Sequence, residues 1–292
     1  MKILLATDGS EYSETAAKFL GLLDFSSDDV VILLHVVSQI PCEDEYGKQI
    51  LRAIKRVSPK ILRSCEDALR PLRVRIHKEE GEGVPEIEIA RKADEDDVDL
   101  IVMGARGIKG ISSLFLGSVT RAVSALSSRP MLVTKSRNKA TEEGMKVLFC
   151  TDGSSSAMKT ANILVQLPFS EKTELTILTI TRSAFSDIPD RYALEVNEAM
   201  KDSLAGIRTS EARAAGEIID SVQAQLSGRF SIIYPVVKGG DPAQEILRHA
   251  EEMQADLIAI GSRGFKGIKG MLGSVSRRVL GRADCSVLIG RD

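Results

Sequence analysis

Two glycine-rich segments hold the residues best suited to chemistry. The first reads Gly104-Ala105-Arg106-Gly107-Ile108-Lys109-Gly110 and closes at Gly117-Ser118, where a helix can open. The second reads Gly261-Ser262-Arg263-Gly264 and closes at Gly273-Ser274. Glycine lets backbone N–H groups come close to an anion. A helix N-terminus adds unpaired N–H donors and a partial positive charge. The chemistry this predicts is phosphate binding, with Ser118 either capping the helix or offering its hydroxyl to the phosphate. Arg106, Lys109, Arg263 and Lys266 either screen phosphate charge or stand as solvated loop cations. The pattern is neither GxxxxGK[ST] nor a GxGxxG after the first strand. Loops beyond about 12 residues are usually functional or disordered, which argues against a mere connection. Asp8 and Asp152 each head an Asp-Gly-Ser turn. Such a carboxylate can contact a bound ligand, or it can serve turn and N-cap chemistry.

These residues recur because the chain is a tandem repeat. MKILLATDGS at 1–10 returns as MKVLFCTDGS at 145–154, and the stretch 83–110 returns at 240–267. LGSVTRAV at 116–123 returns as LGSVSRRV at 272–279. The offset changes from 144 to 157 and then to 156, so the second copy has a longer middle and a glycine loop one residue shorter. Eight residues separate Gly264 from Gly273, against nine between Gly107 and Gly117. The missing residue either draws the helix start away from the phosphate or is absorbed by Gly267 and Gly270. The expected division is a first domain over 1–136, a polar linker over 137–144 and a second domain over 145–292.

Within each copy, strand and helix patterns alternate. Residues 3–6 and 30–37 read as strands buried on both faces. Ser13 to Leu23 and roughly 46–70 read as helices. The alternation around Leu72, Val74 and Ile76 predicts a half-exposed strand near an edge. Pro85 suits the first turn of a helix carrying Ile87, Ala90 and Ala93. Strands follow at 100–103 and 131–133, with a helix from Ser118 between them. The predicted fold class is α/β, with two tandem Rossmann-like domains. Each is an open, five-stranded, mostly parallel sheet with helices on both faces. In such sheets ligands bind beyond the carboxyl ends of the strands, where Asp8, Val36 and the glycine loop converge.

Composition narrows the function classes. The chain has 292 residues, 43% hydrophobic and 27% charged, with a net charge of −2. There is no global basic field for nucleic acid or an anionic membrane, and 4% aromatic residues without Trp offer no stacking platform. Four cysteines form no CxxC pair, no secretory signal opens the chain, and no apolar stretch approaches the roughly 20 residues of a membrane span. A reducing, cytoplasmic setting is expected. His35 is expected to be a packed or hydrogen-bonded histidine, Cys150 and Cys285 small core residues, and the acidic run at 94–97 a solvated face.

The spacing G-x2-G-x9-G-S, with Asp-Gly-Ser after the first strand and LLHVV in the second, resembles the universal stress protein family, and in particular its ATP-binding branch. The resemblance covers nearly the whole chain as two copies. It implies an adenine-nucleotide alpha-hydrolase-like fold and a set of nucleotide contacts. In the first copy these are Thr7, Asp8, Gly9, Val36, Gly83 (in the loop before Pro85), Met103, Gly104, Arg106, Gly107, Lys109, Gly117, Ser118 and Val119. In the second they are Asp152, Ile180, Gly240, Ile260, Gly261, Gly264, Gly273, Ser274 and Val275. Asp8 would approach ribose and adenine, Val36 would hold the adenine through its backbone, and the glycines with Ser118 would meet the phosphates. The implied ligand is ATP, ADP or AMP, with Mg²⁺ accompanying it. The family resemblance also implies pairing of the two halves through their last strands, with further homodimerisation and an unidentified protein partner.

The leading expectation is therefore a non-enzymatic, nucleotide-responsive stress or regulatory module, in which binding orders the Gly104–Ser118 loop. The alternatives are a slow ATPase using Asp8, or an interaction module whose sites stay empty. No catalytic base or metal-binding acid cluster is evident near the loop.

Overall fold

The computed structural model describes residues 1–39, 44–107, 116–135, 144–181, 201–264 and 272–291. The first half runs β1 (Lys2–Ala6), α1 (Glu11–Leu20), β2 (Val30–Ser38), α2 (Glu45–Leu69), β3 (Arg75–Gly83), α3 (Pro85–Glu95), β4 (Leu100–Gly104), α4 (Ser118–Leu126) and β5 (Met131–Thr134). The second runs β6 (Lys146–Cys150), α5 (Ser155–Gln166), β7 (Glu174–Thr181), α6 (Lys201–Leu226), β8 (Ile232–Gly239), α7 (Pro242–Glu252), β9 (Leu257–Gly261), α8 (Ser274–Arg282) and β10 (Ser286–Gly290).

The described strands form one sheet in the order β3-β2-β1-β4-β5-β10-β9-β6-β7-β8. Neighbours within each half are parallel. Helices cover both faces, as period-two alternation requires. Leu5 and Ile3 face α1 and α2 through Ala16, Leu20, Leu62 and Leu69. Leu4 and Ala6 face α3 and α4 through Ile89, Ala93 and Val123. The chain is thus α/β with two tandem Rossmann-like halves.

β5 and β10 join the halves antiparallel, pairing Val133 with Val287, Leu132 with Leu288 and Met131 with Ile289. An apolar edge strand would otherwise stay exposed. The residues just beyond each strand cross over reciprocally. Lys135 Nζ donates to the carbonyls of Leu280 (3.0 Å) and Ala283 near the end of α8. Arg291, its counterpart, donates to the Ser124 carbonyl near the end of α4.

Several local expectations shift. Helix α1 starts at Glu11, where Ser10 caps it, and ends at Leu20 rather than Leu23, because past Gly21 the chain tightens so that Leu22 N bonds the Phe19 carbonyl and Leu23 N the Leu20 carbonyl. The edge strand occupies 75–83 rather than the stretch around Leu72, since pairing with Val30–Ser38 fixes its register. Ile87 on α3 is exposed, and Ile89 with Ala93 forms the inward face. His35 is buried and its Nδ1 lies 2.8 Å from the Thr7 carbonyl, tying β2 to the end of β1. Cys150 and Cys285 are buried free thiols. Among the described residues no helix is long and apolar enough to cross a membrane.

Candidate functional site

The switch in strand order lies between the parallel strands β1 and β4, whose carboxyl ends are Ala6 and Gly104. Asp8 follows β1 directly. Its Oδ1 accepts from the Ser10 amide (3.0 Å) and the Ser10 hydroxyl (2.6 Å), while Ser10 itself caps α1 by accepting from Ser13 N. Capping therefore falls to the serine. The other oxygen, Oδ2, is turned to Gly107: a Cβ built there would sit 2.3 Å from it. Gly104 is equally constrained, because a Cβ there would lie 2.5 Å from the Tyr12 carbonyl oxygen.

The glycine loop is closed at its base. Gly117 N donates to the Ala105 carbonyl at 2.8 Å, and Ala105 N to the Thr134 carbonyl at 2.9 Å. Thr120 Oγ1 donates to the Gly104 carbonyl at 2.9 Å, fastening α4 to the end of β4. The N-cap of α4 is Gly117, with no side-chain capping bond. Ser118 is thus the first helical residue and does not cap, contrary to one of its two expected roles. The first turn of α4 contains no acidic residue, whereas α1 carries Glu11 and Glu14 and α3 carries Glu86 and Glu88 there. The partial positive charge at the start of α4 is left uncompensated by a carboxylate of its own turn.

The second half builds the same base from a shorter loop. Gly273 N donates to the Ser262 carbonyl (2.7 Å), Ser262 N to the Gly290 carbonyl (2.9 Å) and Ser276 Oγ to the Gly261 carbonyl (2.7 Å). Gly273 is likewise an N-cap without a side-chain bond, and the first turn of α8 has no acidic residue. A Cβ at Gly264 would lie 2.6 Å from Oδ2 of Asp152. The helix start is therefore not displaced, and the one-residue deletion is accommodated between Ser262 and Gly273.

The other expected residues are placed as follows. Val36 and Ile180 are half-buried near the ends of β2 and β7, two residues past the partners of Ala6 and Cys150. Val119 and Val275 lie in the first turns of α4 and α8, packed against the core. Gly9, Ser118 and Ser274 belong to the turns and helix starts already described. Thr7, Met103 and Ile260 are buried and act as framework: Thr7 N donates to Leu34 O at 2.9 Å and its hydroxyl to Ser13 Oγ at 3.1 Å. Gly83 ends β3 opposite Ser38 rather than lying in a loop, because the β2–β3 ladder reaches that far. Gly240 follows β8 and donates to the Thr181 carbonyl at 3.1 Å. Lys109 lies outside the described residues, as do Lys266, Gly267, Gly270 and Cys42.

Three contacts were missed by sequence reasoning. Arg106 Nη1 donates to the Tyr12 hydroxyl at 2.8 Å, with its guanidinium carbon 5.2 Å from that ring. In the second half Ser156 replaces Tyr12 and grips the backbone instead, donating to the Arg263 carbonyl at 2.6 Å. The Thr120/Ser276 tether had a readable signal, since both copies place a hydroxyl two residues after Ser118 or Ser274. The Tyr12 and Ser156 contacts had none, because the two copies differ there.

Comparison with known proteins follows the same division. The family model described as "Universal stress protein family" matches residues 1–135 and again 145–291. Universal stress protein YxiE of Bacillus subtilis is 34% identical over 157 residues, covering 50% of this chain and 98% of its own length. A universal stress protein of Mycolicibacterium smegmatis is 23% identical over 312 residues, covering 99% of this chain and 96% of its own. Among solved structures, a universal stress protein from Archaeoglobus fulgidus aligns with 99% of this chain and 98% of its own at 23% identity, with a TM-score of 0.67.

Proposed function

The chain belongs to the universal stress protein family, and from that premise we propose that it binds adenine nucleotides, ATP, ADP or AMP, as a nucleotide-responsive regulatory protein without turnover. One observation carries this reading. Each half sets a helix N-terminus free of side-chain caps and acidic residues beside the Asp-Gly-Ser aspartate, and does so despite loops of different length. Such a terminus suits an anion, and the missing side chain of Gly107 or Gly264 leaves the aspartate its place beside the loop.

In the first half Gly117, Ser118 and Val119 would hold the phosphates through backbone N–H groups, Asp8 would accept the ribose hydroxyls, and Val36 would meet the base through its backbone. Asp152, Gly273, Ser274, Val275 and Ile180 would do the same in the second. Arg106 rests on Tyr12 at the base of the first loop, close enough to add positive charge there.

Calorimetric titration of ATP, ADP and AMP into nucleotide-stripped protein, with Mg²⁺ present, tests the proposal. Two equivalents are expected in the wild type and one in Gly117→Asp or Gly273→Asp, each of which puts a carboxylate at a helix start. Absence of binding by any adenine nucleotide overturns the proposal. Phosphate release that is linear in time and abolished by Asp8→Ala overturns the non-enzymatic part.

A further inference from the structure

Away from the glycine loops, at the amino ends of the strands, the two halves differ around a position that the repeat aligns. In the first half Arg129, between α4 and β5, reaches the end of α3 and the turn that follows it. Its Nε donates to Asp94 Oδ1 at 3.1 Å, its Nη1 pairs with Asp97 Oδ1 at 2.6 Å, and the Val98 carbonyl accepts at 3.4 Å. The repeat aligns these residues with Cys285, Glu251, Gln254 and Ala255. Backbone geometry supports the alignment: Asp97 and Gln254 are the positive-φ residues other than glycine among those described, at 50° and 56°.

Where the first half has a guanidinium, the second has a short, buried thiol and a cleft of about 720 Å³. Glu251, Gln254, Ala255 and Cys285 all line it. Glu251 makes no ion pair among the described residues, whereas its counterpart Asp94 holds Arg129. Met145, Leu247 and Ile258 supply an apolar wall, and Asp256 and Asp284 add carboxylates. Lys146 and Arg282 also border the cleft, and Arg248 is drawn away to Glu245 and Glu252. The volume is far larger than one planar head group and lies in the range of small-ligand sites.

We infer that this cleft is a binding site for a guanidinium-bearing ligand, which takes in the second half the place that Arg129 occupies in the first. Glu251 pairs with the guanidinium, the Ala255 carbonyl accepts from it, and the apolar wall covers the alkyl stem, the way long cationic side chains lie on apolar surface. The guanidinium comes either from a small molecule or from an arginine side chain of another polypeptide.

The test is calorimetric titration of agmatine, L-arginine, a capped peptide with a single arginine, and cadaverine, in the absence of nucleotide. The wild type is expected to bind at least one guanidinium probe with one equivalent per chain. Glu251→Gln is expected to weaken that binding about tenfold or more, by loss of a charge-assisted pair. Cys285→Arg is expected to abolish it, because the new side chain plugs the cleft as Arg129 does. Binding of agmatine or arginine alone assigns a small-molecule source, and binding of the peptide alone assigns a protein side chain. The inference is overturned if no guanidinium probe saturates, if cadaverine binds as tightly, or if Glu251→Gln leaves affinity unchanged. Glu251→Gln decides the matter even if Cys285→Arg fails to fold.

Discussion

An ideal Cβ at Gly107 would lie 2.3 Å from Oδ2 of Asp8, and one at Gly264 2.6 Å from Oδ2 of Asp152. At both positions the glycine leaves room for the neighbouring carboxylate. A methyl group at either position must push that carboxylate aside. Gly107→Ala is therefore expected to lose nucleotide affinity in the first half by about tenfold or more, the equivalent of one displaced hydrogen-bonding group. Its far-ultraviolet circular dichroism should match the wild type. Unchanged affinity for both equivalents would show that Asp8 takes no part in binding. The acidic run at 94–97 shows the limit of reading residues singly. It was expected to be a solvated face, and Asp94, Glu95 and Asp97 are exposed; Asp94 and Asp97 in addition hold Arg129, whose pKa they raise even though partial burial works the other way. That role depends on residue 129, some thirty positions away, and no local pattern announces it.

At the scale of elements, helix ends divide into those that are neutralised and those that are not. The starts of α4 and α8 lack acidic residues, while the end of α8 receives a cation from the other half. That cation is Lys135. Burial pushes its ammonium down to about 8 from the usual 10.5, partly offset by Cys285 and Asp284. A base with a depressed folded-state pKa binds fewer protons in the native than in the unfolded chain between those values. Its contribution to stability therefore rises with pH across the window from 8 to 10.5. The thiols of Cys65 and Cys285, pushed up to about 11 by burial, act in the opposite sense above their ordinary pKa. Comparison with Lys135→Met separates the two. The stability of the wild type relative to the variant, from urea unfolding, should increase between pH 7.5 and 10.5 by up to about 3 kcal/mol. A difference independent of pH would show that Lys135 stays charged in the fold.

The molecule as a whole is one sheet, and both apolar clusters run across the seam. One includes Leu132 and Leu288, and the other includes Met131, Val133, Val287 and Ile289. Two domains joined only by a linker would unfold separately. Here the loss of one half would expose the apolar edge of the other. Scanning calorimetry should show a single transition. Leu288→Ala, at a fully buried site, should lower the stability of that single unit by about 2–5 kcal/mol. Two resolved transitions would mean that the seam adds little. The reciprocal bridges of Lys135 and Arg291 give this seam the self-complementary character of a two-fold interface, built within one chain.

The sequence by itself determined the tandem repeat, the alternation of buried strands and helices, and the positions of Asp8, Gly107, Gly117 and their second-half counterparts. Those features are encoded locally, by period, by turn residues and by a motif repeated within the chain. The family resemblance pointed to pairing of the last strands, but their antiparallel register is set only where β5 and β10 meet. The register of β3 and the inward face of α3 were likewise decided by partners distant in sequence. Whether a loop one residue shorter could still present its helix was equally a tertiary matter, answered by the bond from Gly273 N to the Ser262 carbonyl. The cleft beside Cys285 is the clearest case. Sequence shows only that an arginine in one copy is a cysteine in the other. That a cleft lies beside this cysteine and next to Glu251 follows from packing, because a cavity is defined by neighbours that come from distant parts of the chain.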